Sequence, residues 1–198
     1  MAKILIIKAN PVGEFSYTNK LLKHFMTEYQ SIHPEDSITI KELGDIEFVS
    51  SDKDMLRYRA SGIAEEDKEQ TYKQFDLLCD EFLEYDKYVF AYPNWNLLVP
   101  PSLVNYVLWV FRKKKIKRED GTSKLENKKC MALYTSGGYT NTVTNTSFGL
   151  EWFKVLMVKY GMGKSYFVNA EGLEGDEETV RANYEKYKKQ VKDIAKEF

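Results

Sequence analysis

Hydrophobic positions along this chain alternate between two kinds of pattern. Lys3 to Ala9 (KILIIKA) is a compact aliphatic run, the mark of a strand buried on both faces, and it closes in the turn signal Asn10-Pro11-Val12-Gly13. Beyond Ser16, the residues Leu22, Phe25, Met26 and Tyr29 recur at helical spacing. Ser37 to Leu43 alternates as a second strand, while Gly44 to Ser61 has no period and reads as an excursion loop. A charged helix follows, with Phe75, Leu78, Cys79 and Phe82 on one face. Further strands are expected at Lys87 to Tyr92, Lys128 to Tyr134 and Ser165 to Ala170. Between them, Leu103, Tyr106, Val107 and Val110 mark one helix, and Phe148, Trp152, Val155 and Leu156 another. The last helix carries Val180, Tyr184, Tyr187, Val191 and Ile194 on one stripe.

Strict β-α alternation with short aliphatic strands predicts an α/β fold, a five-stranded parallel sheet covered by helices on both faces. Residues 1–198 read as a single domain, without internal repeats. Of the two common doubly wound orders, five strands with a terminal helix suit 2-1-3-4-5, in which a ligand binds beyond the carboxyl ends of strands 1 and 3.

Composition narrows the function. The 29 Lys and Arg nearly balance 30 Asp and Glu, for a net charge of −1, so the net basic footprint of a dedicated nucleic-acid binder is missing. Leu97 to Phe111, the longest apolar stretch, is broken by Pro100, Pro101, Ser102 and Asn105, whereas a membrane span needs roughly 20 mainly apolar residues. Two cysteines cannot build a disulfide framework, and Ile4 to Ile7 is too short for a signal-peptide core, so the reading is soluble and cytoplasmic. Cys79 and Cys130 fall on apolar faces as small core residues, and His24 and His33 lack metal-ligand spacing. The 14 Tyr, 11 Phe and 3 Trp exceed what a core of this length demands. Phe48, Tyr58, Trp109 and Phe111 are candidates for pocket or interface walls, with ordinary core packing as the alternative. The basic run Arg112 to Arg118 is followed by Glu119, Asp120 and Glu126, which favours a solvated connection.

The switch-point rule selects three loops. The first, NPVGEFSYTNK, has neither a G-x-G-x-x-G nor a G-K-[ST] motif, but it places Ser16, Thr18 and Asn19 at a helix start. Free amides and the helix dipole there favour an anion; the alternative is that Ser16 or Thr18 is merely an N-cap. The second, from Pro93 through Asn94, Trp95, Asn96 and Leu97 to Pro100, offers a rigid backbone, a flat aromatic and two amides suited to a planar ring system. A packed turn with Trp95 capping the core is its alternative. The third carries Thr135, Ser136, Gly137 and Gly138, where paired glycines let backbone amides approach a ligand closely.

With these residues in place, the chain resembles, end to end, the FMN-dependent NADH-azoreductases, also described as NADH:quinone oxidoreductases, of the flavodoxin-like superfamily. The resemblance is carried by Ser16-Tyr17-Thr18, by Pro93-Asn94-Trp95-Asn96 with Leu103 and Asn105-Tyr106, by Gly137-Gly138, and by Asn169-Ala170-Glu171-Gly172. It implies a flavodoxin-like three-layer sandwich that binds FMN and takes hydride from NADH or NADPH. The acceptor is a quinone or an aromatic azo compound, turnover is ping-pong, and a homodimer completes the sites. It further implies that Ser16, Tyr17 and Thr18 hold the phosphate beside Asn10. Pro93 to Leu97 would run along the isoalloxazine with Asn96 at its reactive edge, and Thr135, Ser136, Gly137 and Gly138 would meet the pyrimidine side. No protein nucleophile is implied, and the basic run would project over the flavin. Asn94-Trp95-Asn96-Leu97 departs from the Met-Tyr-Asn-Phe of many relatives, and Thr135-Ser136 stands where they carry Ser or Arg; both bear on substrate and nucleotide preference. The rival readings are a flavodoxin-type electron carrier, disfavoured because such carriers are strongly acidic, and a flavin-binding module that has lost catalysis.

Overall fold

The four aliphatic residues Ile4, Leu5, Ile6 and Ile7 are all completely buried, because their strand lies between two others and under helices on both faces. The computed structural model describes residues 1–47, 70–139 and 147–198. Its strands are β1 (Lys3–Lys8), β2 (Ser37–Glu42), β3 (Lys87–Pro93), β4 (Lys129–Thr135) and β5 (Lys164–Ala170). They pair in parallel in the order β2-β1-β3-β4-β5, with Ile6 opposite both Ile40 and Val89. The helices are α1 (Tyr17–Ile32), α2 (Gln70–Leu83), α3 (Pro101–Val110), a short α4 (Lys113–Ile116), α5 (Phe148–Tyr160) and α6 (Glu177–Glu197). The predicted order and the three layers are therefore present.

Strand alternation sorts the core into two halves. Ile4 and Ile6 face Leu21, Phe25 and Tyr29 of α1 and Val191 and Ala195 of α6. Leu5 and Ile7 face the other side, with Phe82 of α2, Leu103 and Tyr106 of α3, and Phe153 of α5. Among the described residues, the largest fully buried side chains are all aromatic, from Trp109 and Tyr29 to Phe153 and Phe198. Much of the aromatic content is therefore core packing, the alternative named above. Trp109 and Phe111 are core residues, while Phe48 and Tyr58 lie outside the described residues. Cys79 and Cys130 are buried thiols pushed up in pKa by that burial, and the Cys79 thiol donates to the Val110 carbonyl.

Phe148, Trp152, Val155 and Leu156 lie on a helix as expected, but they are not the most buried face of α5. Leu150, Phe153 and Met157 point to the core, whereas Val155 is 66% and Val158 81% exposed. The helix is apolar on two sides, so periodicity alone cannot choose between them. The basic run lies at the amino ends of the strands, away from the ligand-binding end in its own subunit, because α3 carries the chain back down the sheet. There Arg112 pairs with Asp76, Lys115 with Asp80 and Arg118 with Glu126, and the Ile116 carbonyl accepts from Lys124 just before β4.

A second network at that end yields a pH prediction. Asp36 accepts from Tyr29 Oη at 2.5 Å and from the Ala2 amide at 2.6 Å, with the Lys87 ammonium 3.5 Å away. Burial alone would raise its pKa, but these donors and the nearby cation outweigh it and hold the carboxyl below its ordinary value. A group depressed in the folded state stabilises it above the unfolded pKa, near 4, and loses that contribution as pH falls through the folded value. Asp36→Asn should therefore lower the urea midpoint at pH 7 and flatten its decline on acidification, compared with wild type in parallel urea titrations.

Candidate functional site

The carboxyl ends of β1, β3 and β4 open into a cleft of about 250 Å³ lined by Asn10, Ser16, Tyr17, Thr18, Pro93, Asn94, Thr135, Ser136 and Gly137, closed on one side by Leu173 and Glu174. One wall is a hydroxyl cluster. Asn10 Nδ2 donates to Ser16 Oγ at 2.5 Å and to Thr18 Oγ1 at 3.2 Å, and Thr18 Oγ1 shares a 2.6 Å hydrogen bond with Thr135 Oγ1. Thr18 is 1% exposed, so this bond is a buried tie between the first turn of α1 and the last residue of β4. Ser16 is the N-cap of α1, accepting from the Asn19 amide at a long 3.5 Å. The capping reading thus holds for Ser16, and it does not compete with a binding role. The amides of Tyr17 and Thr18, in the unsatisfied first turn, have no acceptor among the described residues. Two free amides, two hydroxyls and a helix N-terminus make an anion cradle that contains no cationic side chain.

The opposite wall is formed by Ser136 and Gly137, with the exposed Gly138 following at its edge. Their carbonyls are consumed: Ser136 O accepts from the Leu173 amide, Gly137 O from Glu174 and Gly138 O from Gly172. The amides of Gly137 and Gly138 have no acceptor among the described residues. The chain following β5 thus turns this loop into a surface of hydrogen-bond donors. A Cβ on Gly137 would meet the Glu174 carboxylate, so a larger residue there requires that side chain to shift.

Between the walls, the Asn94 amide donates to Thr135 O at 2.6 Å and its Nδ2 to Ser136 Oγ at 3.1 Å, while its buried Oδ1 has no donor among the described residues. Trp95, Asn96 and Leu97 do not line the cleft. They form a tight turn at its edge, closed by two reciprocal backbone hydrogen bonds between Trp95 and Leu98. Asn96 and Leu97 have φ of 53° and 68°. Asparagine tolerates that left-handed region, but for leucine it costs about 1–2 kcal/mol. The strained turn holds Trp95 (43% exposed) and Leu97 (48%) in solvent beside the cleft, rather than capping the core.

Behind the cleft, the phenol of Tyr134 is pushed up to about 12 by burial and the nearby Glu171 carboxylate, so it stays protonated. No metal-binding group of His, Cys, Asp and Glu occurs among the described residues. Next to the cleft, Leu98, Val99, Pro101, Val104, Asn105, Phe148, Gly149 and Trp152 line a second, apolar groove of about 470 Å³. Residues 140–146 of the third expected loop lie outside the described residues. Leu173 and Glu174 were not among the residues expected from sequence. Their signal is positional, since the loop after β5 also emerges at the ligand-binding end of the sheet.

The family model of the flavodoxin-like fold matches residues 2–194. A protein of Pectobacterium atrosepticum called FMN-dependent NADH:quinone oxidoreductase is 31% identical over 176 residues, covering 87% of this chain and 88% of its own. One of the same name from Coprothermobacter proteolyticus is 29% identical over the full length of both. Among solved structures, an azoreductase from Bacillus anthracis superposes over all of both chains with a TM-score of 0.87 at 24% identity, a likeness of fold.

Proposed function

We propose, since this chain belongs to the flavodoxin-like fold family and carries the cleft just described, that it is an FMN-dependent oxidoreductase passing hydride from NADH to a quinone or an aromatic azo compound. The observation that carries the reading is the pairing of an uncharged anion cradle with a wall of free amides in one cleft. Ser16, Tyr17, Thr18 and Asn10 would hold the phosphate, and the buried Asn94 Oδ1, without a donor among the described residues, offers an acceptor to the chain that follows it. The cleft is smaller than the ~300–1,000 Å³ pockets that enclose a whole drug-sized ligand. The exposed Trp95, Asn96, Leu97 and Gly138 beside it would hold the flat ring system, on a surface open to a second planar molecule. Bound there, FMN supplies two-electron hydride chemistry, and the protein supplies position and electrostatics. The Gly137 and Gly138 amides, with Thr135 and Ser136 behind them, would stabilise negative charge on the pyrimidine edge. The family relation and the balanced charge favour an enzyme over an acidic electron carrier. The reading places the protein in the cytoplasm; no described helix is long and apolar enough to cross a membrane.

A homodimer is part of the same proposal. The exposed Val155 and Val158 continue the face of α5 on which Trp152 lines the apolar groove, and an apolar stripe of this kind suits a second copy of the chain. Val155→Asp/Val158→Asp should convert a dimer to a monomer in light scattering coupled to size exclusion. Because neither side chain is in the core, the thermal midpoint of the isolated subunit should barely change.

The function is tested by the visible absorption spectrum of the protein with FMN, followed by anaerobic NADH titration. Bleaching of the flavin by NADH and its recovery on adding a quinone are expected. A protein that binds no FMN, or whose bound flavin NADH does not bleach, sinks the reading.

A further inference from the structure

Asn183 belongs to α6 and does not line the cleft, yet its side chain ends on the loop that builds the donor wall. Asn183 Nδ2 donates to Tyr139 Oη and to the Gly172 carbonyl, both at 2.9 Å. Gly172 has a left-handed φ of 67°, and a Cβ there would lie 2.5 Å from Tyr139 Cζ and Oη. The phenol therefore fills space that only a glycine leaves open, and Asn183 keeps it there. Of the three backbone bonds to this loop, the Glu174 amide to Gly137 O at 3.0 Å is of ordinary length and the other two are long. The Gly172 amide reaches Gly138 O at 3.4 Å and the Leu173 amide reaches Ser136 O at 3.3 Å, long for hydrogen bonds of this type. Two consecutive glycines have wide conformational freedom, so the direction of their amides needs an external constraint.

We propose that Asn183 is a positioning residue for the cofactor: through Tyr139 and Gly172 it sets the direction of the Gly137 and Gly138 amides, and with it the affinity for the flavin ring and the flavin's potential. The inference rests on the FMN reading above. Its physical content is preorganisation: donors already aimed at a ligand cost no ordering when it arrives, and donors that stabilise developing charge favour the reduced, more negative flavin.

The test compares wild type, Asn183→Ala, Tyr139→Phe and the double variant by flavin fluorescence titration with FMN and with riboflavin, and by the midpoint potential of the bound flavin. Each single variant should weaken FMN about tenfold, equivalent to about 1.4 kcal/mol. The double variant should be no weaker than either single, because both break one device. Riboflavin should weaken by the same factor, since the ring rather than the phosphate is affected, and the potential should fall. Binding and potential both unchanged in the single variants overturn the inference, as do additive losses in the double variant. Wild type that binds neither FMN nor riboflavin overturns the FMN reading itself, so the two failures are distinct.

Discussion

Thr18→Val should weaken FMN binding by roughly 10–100-fold while leaving riboflavin affinity nearly unchanged. The substitution keeps the shape of a side chain that is 1% exposed and removes only its hydroxyl. That hydroxyl accepts from Asn10 Nδ2 and bonds Thr135 Oγ1, so its loss leaves the Thr135 hydroxyl buried without this partner and loosens Asn10. A hydrogen bond to a charged group contributes about 1.5–3 kcal/mol, and each 1.4 kcal/mol is tenfold in affinity, which gives the stated range. No cationic side chain lines the cleft to compensate. Fluorescence titrations with the two flavins separate a phosphate effect from general damage. Equal losses for both would mean that the hydroxyl cluster supports the fold rather than the phosphate, and no loss for either would remove Thr18 from the site.

Phe153→Ala should cost about 3–5 kcal/mol of stability, the usual range for emptying a buried phenylalanine site. Phe153 is fully buried, with its ring 4.7 Å from that of Phe90 and 5.9 Å from that of Tyr92, both on β3. It is one of the contacts, with Leu150 and Met157, through which α5 rests on the sheet, and β3 leads directly into Pro93 and Asn94. Against a total stability of about 5–15 kcal/mol, this loss leaves a marginal protein. Urea unfolding should show a large fall in midpoint with an unchanged slope, and saturating FMN should recover part of it by mass action. A loss below about 1 kcal/mol would mean that the cavity closes by local collapse. The contrast with Val155 and Val158, two and five positions along on the same helix, is sharp: one face of α5 holds the fold together, and the other faces outward.

That contrast shows where sequence reading succeeds and where it stops. The run Ile4 to Ile7 could only be a strand covered on both sides, and it is one. The strand order followed from five β-α units and a general rule of parallel sheets, and that order placed Asn10, Pro93 and Thr135 together before any contact was known. Within the cleft, Ser16 and Thr18 were legible because helix starts announce themselves by residue type. The face of α5 was not legible, because a helix apolar on both sides has no preferred stripe. The aromatic core was not legible for a related reason: counting rings says nothing about how much volume three layers must fill. The basic run read as a solvated connection, and only the packing shows that ion pairs to Asp76, Asp80 and Glu126 occupy three of its cations.

By itself, the sequence determined the local elements, their order in the sheet and the end of the sheet where a ligand belongs, since each follows from short-range periodicity and backbone chirality. Only the tertiary structure decided that the chain after β5 takes up the carbonyls of Ser136, Gly137 and Gly138 and leaves the two glycine amides without an acceptor among the described residues. It alone brought Asn183 to Tyr139, 44 positions away. The physical reason is common to both: hydrogen bonds between segments distant in the chain depend on how the layers pack, and no spacing along the sequence records that.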